Sequence, residues 1–195
     1  MKKSIEKNKW GMVVVGCSSG GLGALKEVLF PLPSSFPLPI IIVQHLHPEG
    51  ESYLASYLDG HCQLSVKEAE DKEKIDPGFV YTAPPNYHVL IEKERTLSLS
   101  VDAPVVYSRP SIDVLFESVP PFMAKHTIAI LLTGANNDGT KGMLYIHRHG
   151  GLTIVQNPEN AESSLMPQSA INAVQVDHLL DLEEMAPLLI QLSRD

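Results

Sequence analysis

Apolar residues follow two patterns along the 195-residue chain. Short unbroken runs at Met12–Val15, Pro39–Val43, Thr127–Leu132 and Leu152–Val155 read as strands buried on both faces, as in a parallel sheet. Elsewhere apolar residues recur at spacings of three and four, which predicts helices over Leu22–Leu29, Glu51–Leu58, Gly139–His149, Pro167–Val174 and Leu182–Leu192. A further helix is expected to open at Ser111, with Asp113 in its first turn and Ile112, Leu115, Phe116 and Val119 on one face. The middle of the chain differs. Phe79–Thr82, Val89–Ile91 and Thr96–Val101 read as short strands among turn-rich segments, the last two forming a hairpin over Glu92–Arg95. A short final strand holds Leu179 and Leu180. The order predicts an α/β fold: a single doubly wound, mainly parallel sheet with helices on both faces and a small antiparallel hairpin insertion. One domain over residues 11–195 is expected, after a polar tail at 1–10.

Composition narrows the classes. Hydrophobic residues make up 44% of the chain, enough for a real core. A formal net charge of -8 argues against a nucleic-acid binder, which needs a basic face, and against docking on anionic lipid. No stretch approaches the ~18 apolar residues of a membrane span, and the polar start lacks the apolar region of a signal peptide. Two cysteines, Cys17 and Cys62, make neither a disulfide framework nor a zinc motif. A reducing cytoplasm fits best.

The first strand runs into "GCSSGG", Gly16 to Gly21, and then into a helix. As a phosphate loop it matches G-x-x-x-x-G but lacks the lysine that would reach the phosphates. As a dinucleotide fingerprint it fails because Ser18 stands where the middle glycine belongs. Gly16-Cys17-Ser18-Ser19-Gly20 does match the nucleophile elbow G-x-S-x-G, which lifts its central serine out at the carboxyl edge of a sheet, in front of a helix N-terminus. The same small residues also suit a tight turn with no chemistry. Of eight histidines, His45 is the best-placed base, directly after the second apolar run in "IIIVQHLHPEG", with His47 two residues further into the loop. His88 follows "YTAPPNY" and is a candidate to approach the site. Asp138, in the loop after the third buried strand, is the candidate acid, with an alternative role as the N-cap of its own helix. The order Ser18, His45, Asp138 is not that of the α/β-hydrolases. His45-x-His47 and His147-x-His149 have ligand spacing, but neither pair is completed by a carboxylate or cysteine set, and no metal is expected.

These stretches, with "VKEAEDKEKIDPGFVYTAPPNYHV", "SRPSIDVLFESV", "ILLTGANNDGTKGM" and "SLMPQSAI", resemble the catalytic domain of chemotaxis protein-glutamate methylesterases, the CheB family, over about residues 12–175. The resemblance implies a Ser18–His45–Asp138 triad that hydrolyses γ-glutamyl methyl esters on the cytoplasmic helices of chemoreceptors, giving glutamate and methanol. Deamidation of receptor glutamines is a second implied activity. No cofactor is implied. The backbone near Ser19, Gly20, Ala135 and Asn137 is the expected place of the oxyanion hole and substrate contacts. Three departures stand out: Ser19 where the family often has Thr, Ala135 and Asn136 where it usually has Met and Gly, and a start too short for the family's receiver domain. Restraint is therefore expected from a separate regulator or from substrate localisation. The rival reading is a receptor-binding module of the same fold with weak or no turnover.

Overall fold

The computed structural model describes residues 9–45 and 53–194. In chain order the elements are β1 (Met12–Cys17), α1 (Gly21–Leu29), β2 (Ile40–Gln44), α2 (Leu54–Asp59), β3 (Ser65–Glu68), β4 (Phe79–Thr82), β5 (His88–Ile91), β6 (Leu97–Ser100), α3 (Ile112–Ser118), α4 (Pro121–Ala124), β7 (Thr127–Leu131), α5 (Thr140–Arg148), β8 (Leu152–Gln156), α6 (Leu165–Ala173), β9 (His178–Leu180) and α7 (Leu182–Leu192), with a 3₁₀ turn at Pro158–Asn160. Seven strands form one sheet in the order β3-β4-β2-β1-β7-β8-β9, and every pairing in it is parallel. β5 and β6 pair antiparallel as a separate hairpin.

Alternation along each strand divides the core into two layers, because successive side chains point to opposite faces. Val13, Val15, Ile40, Ile42, Ile128 and Ile130 face α1, α2 and α7. Met12, Val14, Ile41, Val43, Ala129 and Leu131 face α3, α4, α5, α6 and the hairpin. Both faces are thus covered, and the expected fold class stands.

Several elements differ from expectation, among them the short helix α4, which the hydrophobic pattern did not mark. The sequence placed Phe79–Thr82 among the turn-rich middle strands; the structure pairs it parallel with β2, inside the main sheet. β3, which the hydrophobic pattern did not mark, then docks on β4 as the outermost strand. Of its four residues only Val66 is buried, so almost no apolar signal remains in the sequence. α2 begins at Leu54; the expected start at Glu51 lies outside the described residues, as does His47. α6 begins two residues before Pro167, since proline is tolerated in a helix's first turn.

β1 has β2 on one side and β7 on the other, so the crossovers leave β1 in opposite directions. The loops after β1, β2 and β7 therefore open side by side at the carboxyl edge, the place where parallel α/β sheets bind their ligands.

Candidate active site

Ser18 is the first residue after β1 and His45 the first after β2. The last register pair of these strands is Cys17 with Gln44, and His45 donates its N–H to the Cys17 carbonyl at 3.1 Å. The two residues thus leave the sheet side by side. Ser18 is anchored on the opposite flank by its own N–H, which donates to the Thr133 carbonyl beyond β7 at 2.9 Å. Gln44 ties the two loops together: Nε2 donates to the carbonyls of Ser18 (2.9 Å) and His45 (3.0 Å), and Oε1 accepts from Cys17 Sγ (3.1 Å). Burial pushes the Cys17 thiol far above its ordinary range, so it stays protonated and does not compete with Ser18 as a nucleophile.

The turn itself needs its glycines. A Cβ on Gly16 would stand 2.3 Å from Ile112 Cγ2, so glycine lets α3 close on the end of β1. Gly20 has φ of 78° and is the N-cap of α1, and a Cβ there would also strike Glu162. The Ser18 N–H is committed to Thr133, and the Gly21 N–H donates to the Ser18 carbonyl at 2.8 Å. Among the described residues the N–H groups of Ser19 and Ala135 have no hydrogen-bond acceptor.

Asp138 is fully buried and accepts five hydrogen bonds. Oδ1 takes the Ser111 hydroxyl (2.9 Å) and the N–H groups of Asp113 (3.0 Å) and Gly139 (2.9 Å). Oδ2 takes the Ile112 N–H (2.7 Å) and His45 Nε2 (2.8 Å). The carboxylate therefore does not cap its own helix α5, whose N-cap is Gly139 at φ 86°, as the alternative reading had it; it receives the first turn of α3, 25 residues earlier in sequence. Burial alone would push its carboxyl up, but the His45 hydrogen bond and the N–H groups of Asp113 and Ile112 outweigh it, and the net direction is down. Asp138 stays ionised.

A carboxylate that accepts at Oδ2 requires a proton on His45 Nε2. Nδ1 is then the unprotonated nitrogen, able to accept a hydrogen bond or a proton. The Ser108 hydroxyl lies 3.4 Å from it. The His45 side chain is 11% exposed, reachable by a substrate yet held in a partly dry setting.

Further residues surround the triad; of these, Thr133 and Met166 carried no signal in the sequence. His88, a candidate to approach the site, is buried one step behind it. Its Nδ1 accepts the Ser111 N–H (3.2 Å), which leaves Nε2 to donate to the Ala103 carbonyl (3.2 Å). Thr133 Oγ1 faces the carbonyls of Ser19 (2.9 Å) and Ser163 (3.2 Å) and accepts the Ser163 N–H. Met166 packs so closely on Gly134 that a Cβ there would lie 2.5 Å from its Cε and 3.0 Å from Ser18 Cβ. Asn136, the glycine departure, accepts the Asp138 N–H on its own Oδ1 (3.1 Å) and so closes the loop with a side-chain turn. Ala135 and Asn137 are exposed on the same loop. His147 and His149 lie at the far end of α5, where His149 Nδ1 donates to the Tyr145 carbonyl at 2.8 Å. Among the described residues no group of three or more His, Cys, Asp or Glu is placed to hold a metal ion, and no helix is long and apolar enough to cross a membrane. A cavity of about 750 Å³, lined by Lys9, Trp10, Arg95 and Phe122 among others, opens near the start of β1, at the other end of the strands.

Fold and site together define a doubly wound α/β protein with a serine, a histidine and a buried aspartate gathered at the switch point of a parallel sheet. The chain belongs to the CheB methylesterase family, whose model matches residues 13–189. A Leptospira interrogans protein is 48% identical over 183 residues, which cover 94% of this chain and 95% of that one. The protein-glutamate methylesterase/protein-glutamine glutaminase of Salmonella typhimurium is 37% identical over 182 residues, 92% of this chain but 52% of the relative, so this chain spans about half that protein's length. The crystal structure of the Thermotoga maritima CheB methylesterase catalytic domain superposes with a TM-score of 0.90 at 35% identity, covering 94% of this chain and 98% of the other.

Proposed function

We propose that the protein is a serine esterase that hydrolyses glutamate γ-methyl esters on the cytoplasmic helices of chemoreceptors, with deamidation of receptor glutamines by the same steps. The observation that carries the reading is the 2.8 Å bond between His45 Nε2 and the buried, ionised Asp138, beside a serine elbow. Names of relatives such as that from Salmonella typhimurium support the substrate class.

In this reading Ser18 Oγ attacks the ester carbonyl while His45 Nδ1 takes its proton. The tetrahedral oxyanion is met by the backbone N–H groups of Ser19 and Ala135. Collapse expels methanol, which receives the proton from Nδ1. A water molecule, deprotonated by the same nitrogen, then attacks the acyl carbon and returns Ser18 to its hydroxyl. Asp138 holds the Nε2–H tautomer and stabilises the imidazolium without taking the proton. For glutamine, ammonia leaves in place of methanol. The rival, a receptor-binding module without turnover, gives no reason for an aspartate buried with five donors to be aimed at a single imidazole.

The proposed locus is the cytoplasm, with no nucleic-acid or membrane-inserted partner. Incubation with methyl-labelled receptor fragments tests the reading: wild type releases methanol and Ser18→Ala does not. Equal release by both would refute it.

A further inference from the structure

Between β6 and α3 the chain reverses in a two-residue turn. Val105 donates to the Ser108 carbonyl at 3.1 Å, and Ser108 returns the bond at 2.9 Å. The two central residues, Val106 at φ 49° and Tyr107 at φ 62°, are both left-handed. Such turns ordinarily carry Asn and Gly. A β-branched valine there is a strained outlier, and strain of this kind persists where the surroundings over-determine it. The Tyr107 side chain returns nothing to the core, being fully exposed at 102%.

The surroundings do over-determine it. Just past the turn, Arg109 Nη1 donates to the carbonyls of Val101 (2.6 Å) and Asp102 (2.9 Å), and Nε and Nη2 donate to Asn86 Oδ1 (3.0 and 2.7 Å). The turn is a braced finger rather than a loose loop. Its position is equally defined, because Ser108 Oγ lies 3.4 Å from His45 Nδ1, the atom assigned as base. Tyr107 is the adjacent residue, so its Cα stands about 3.8 Å from that of Ser108, at the mouth of the site. Two further exposed apolar side chains lie next in sequence to segments that meet the Ser18 and Gly134 loops. Leu22 is in the first turn of α1 behind Ser18, and Leu165 opens α6, whose Met166 N–H bonds the Gly134 carbonyl at 2.9 Å.

We propose that the Val106–Tyr107 finger is a substrate-docking element: Tyr107 packs on the apolar side of the receptor helix that bears the ester, with Leu22 and Leu165 completing an apolar rim. The inference rests on the methylesterase reading. A methyl ester alone offers few atoms to recognise, so a protein substrate must be held by contacts remote from the reacting carbon. An exposed aromatic on a rigid, strained support beside the base is such a contact, and tyrosine is enriched among residues that dominate interfaces.

The test compares kcat/KM on a methylated receptor fragment with kcat/KM on p-nitrophenyl acetate, which has no helix to dock. In Tyr107→Ala the ratio of the two should fall roughly 10- to 100-fold, through KM of the fragment, the loss expected of an interface anchor. Tyr107→Phe should restore it, since the ring and not the hydroxyl makes the contact. Val106→Asn, which accepts a left-handed backbone, should raise Tm and so show that the wild-type turn carries strain. An unchanged ratio in a folded Tyr107→Ala protein overturns the proposal. So does an unchanged ratio with loss of a dimer in sedimentation, which would assign the ring to self-association. If wild type releases no methanol from the fragment, the methylesterase reading itself fails. Release with an unaltered ratio in Tyr107→Ala removes only the finger.

Discussion

Asp138→Asn separates the catalytic role proposed for Asp138 from its structural one. The carboxylate offers two acceptor oxygens to five donors: Ser111, Asp113 and Gly139 on Oδ1, Ile112 and His45 on Oδ2. The amide keeps one oxygen. Its best orientation leaves that oxygen on the three Oδ1 donors and turns the NH₂ toward Ile112 N–H and His45 Nε2. The Ile112 N–H then faces a donor, and an unsatisfied buried donor costs about 1–3 kcal/mol. For a domain of this size that lowers Tm by on the order of 5 °C. The NH₂ also needs Nε2 as an acceptor, which moves the imidazole proton to Nδ1, the nitrogen that should receive the Ser18 proton. A wrong tautomer of this kind lowers kcat by about 10⁴, or about 5 kcal/mol of barrier. Turnover of p-nitrophenyl acetate and of a methylated receptor fragment, read beside a thermal melt, measures both effects. A variant that keeps more than a tenth of wild-type kcat while its Tm falls would refute the tautomer argument and reduce Asp138 to a cap for α3.

Ser18→Ala should lower turnover by roughly 10⁴–10⁶ and His45→Ala by a similar amount, with the double variant hardly worse, because such residues act as a unit; clear additivity in kcat would break the pairing. Ser19→Ala should cost far less, since only the Ser19 backbone is used; a loss equal to that of Ser18→Ala would exchange their roles. Asp113 is buried and its carboxyl is pushed up from 3.8 to about 6 by burial first, with the charge of Asp138 adding, against the Gly142 N–H and Lys141, which pull it down. The raised value means that its favourable contribution is complete below about pH 4 and is lost as pH rises through 6, a swing of about 3 kcal/mol. Asp113→Asn keeps an acceptor for the Gly142 N–H at 2.8 Å and should therefore gain Tm over wild type as pH rises from about 4 to 6 and hold that gain above it; a difference that is flat from pH 4 to 6 would show that the carboxyl does not titrate there. Gly134→Ala drives a Cβ between Met166 and Ser18 and should lower both Tm and kcat, by about 1–3 kcal/mol in stability; unchanged kcat in calorimetrically confirmed variant protein would show that the Ser18 setting is not tight.

What the sequence determined by itself was local. Unbroken apolar runs marked β1, β2, β7 and β8, because a strand covered on both faces has no polar face to show. Gly16-x-Ser18-x-Gly20 marked the elbow because only glycine tolerates the approach of Ile112 on one side and a φ of 78° on the other. Strand ends then ranked Ser18, His45 and Asp138 above the other serines, histidines and aspartates, since a parallel sheet gathers its carboxyl ends at one edge. Tertiary structure decided the rest. β3 escaped notice because its pairing with β4 is a backbone matter, and three of its four side chains are not buried. Whether Asp138 caps its own helix or faces His45 depended on where α3 comes to rest, and no spacing along the chain encodes that. The same holds for the basic nitrogen of His45, fixed by a bond across 93 residues, and for the finger at Val106 and Tyr107. Neither residue carries a turn signal, so their left-handed backbone follows from what Arg109 and Ser108 hold around them. Periodicity records which side chains meet water; which donor meets which acceptor is settled only when distant segments pack.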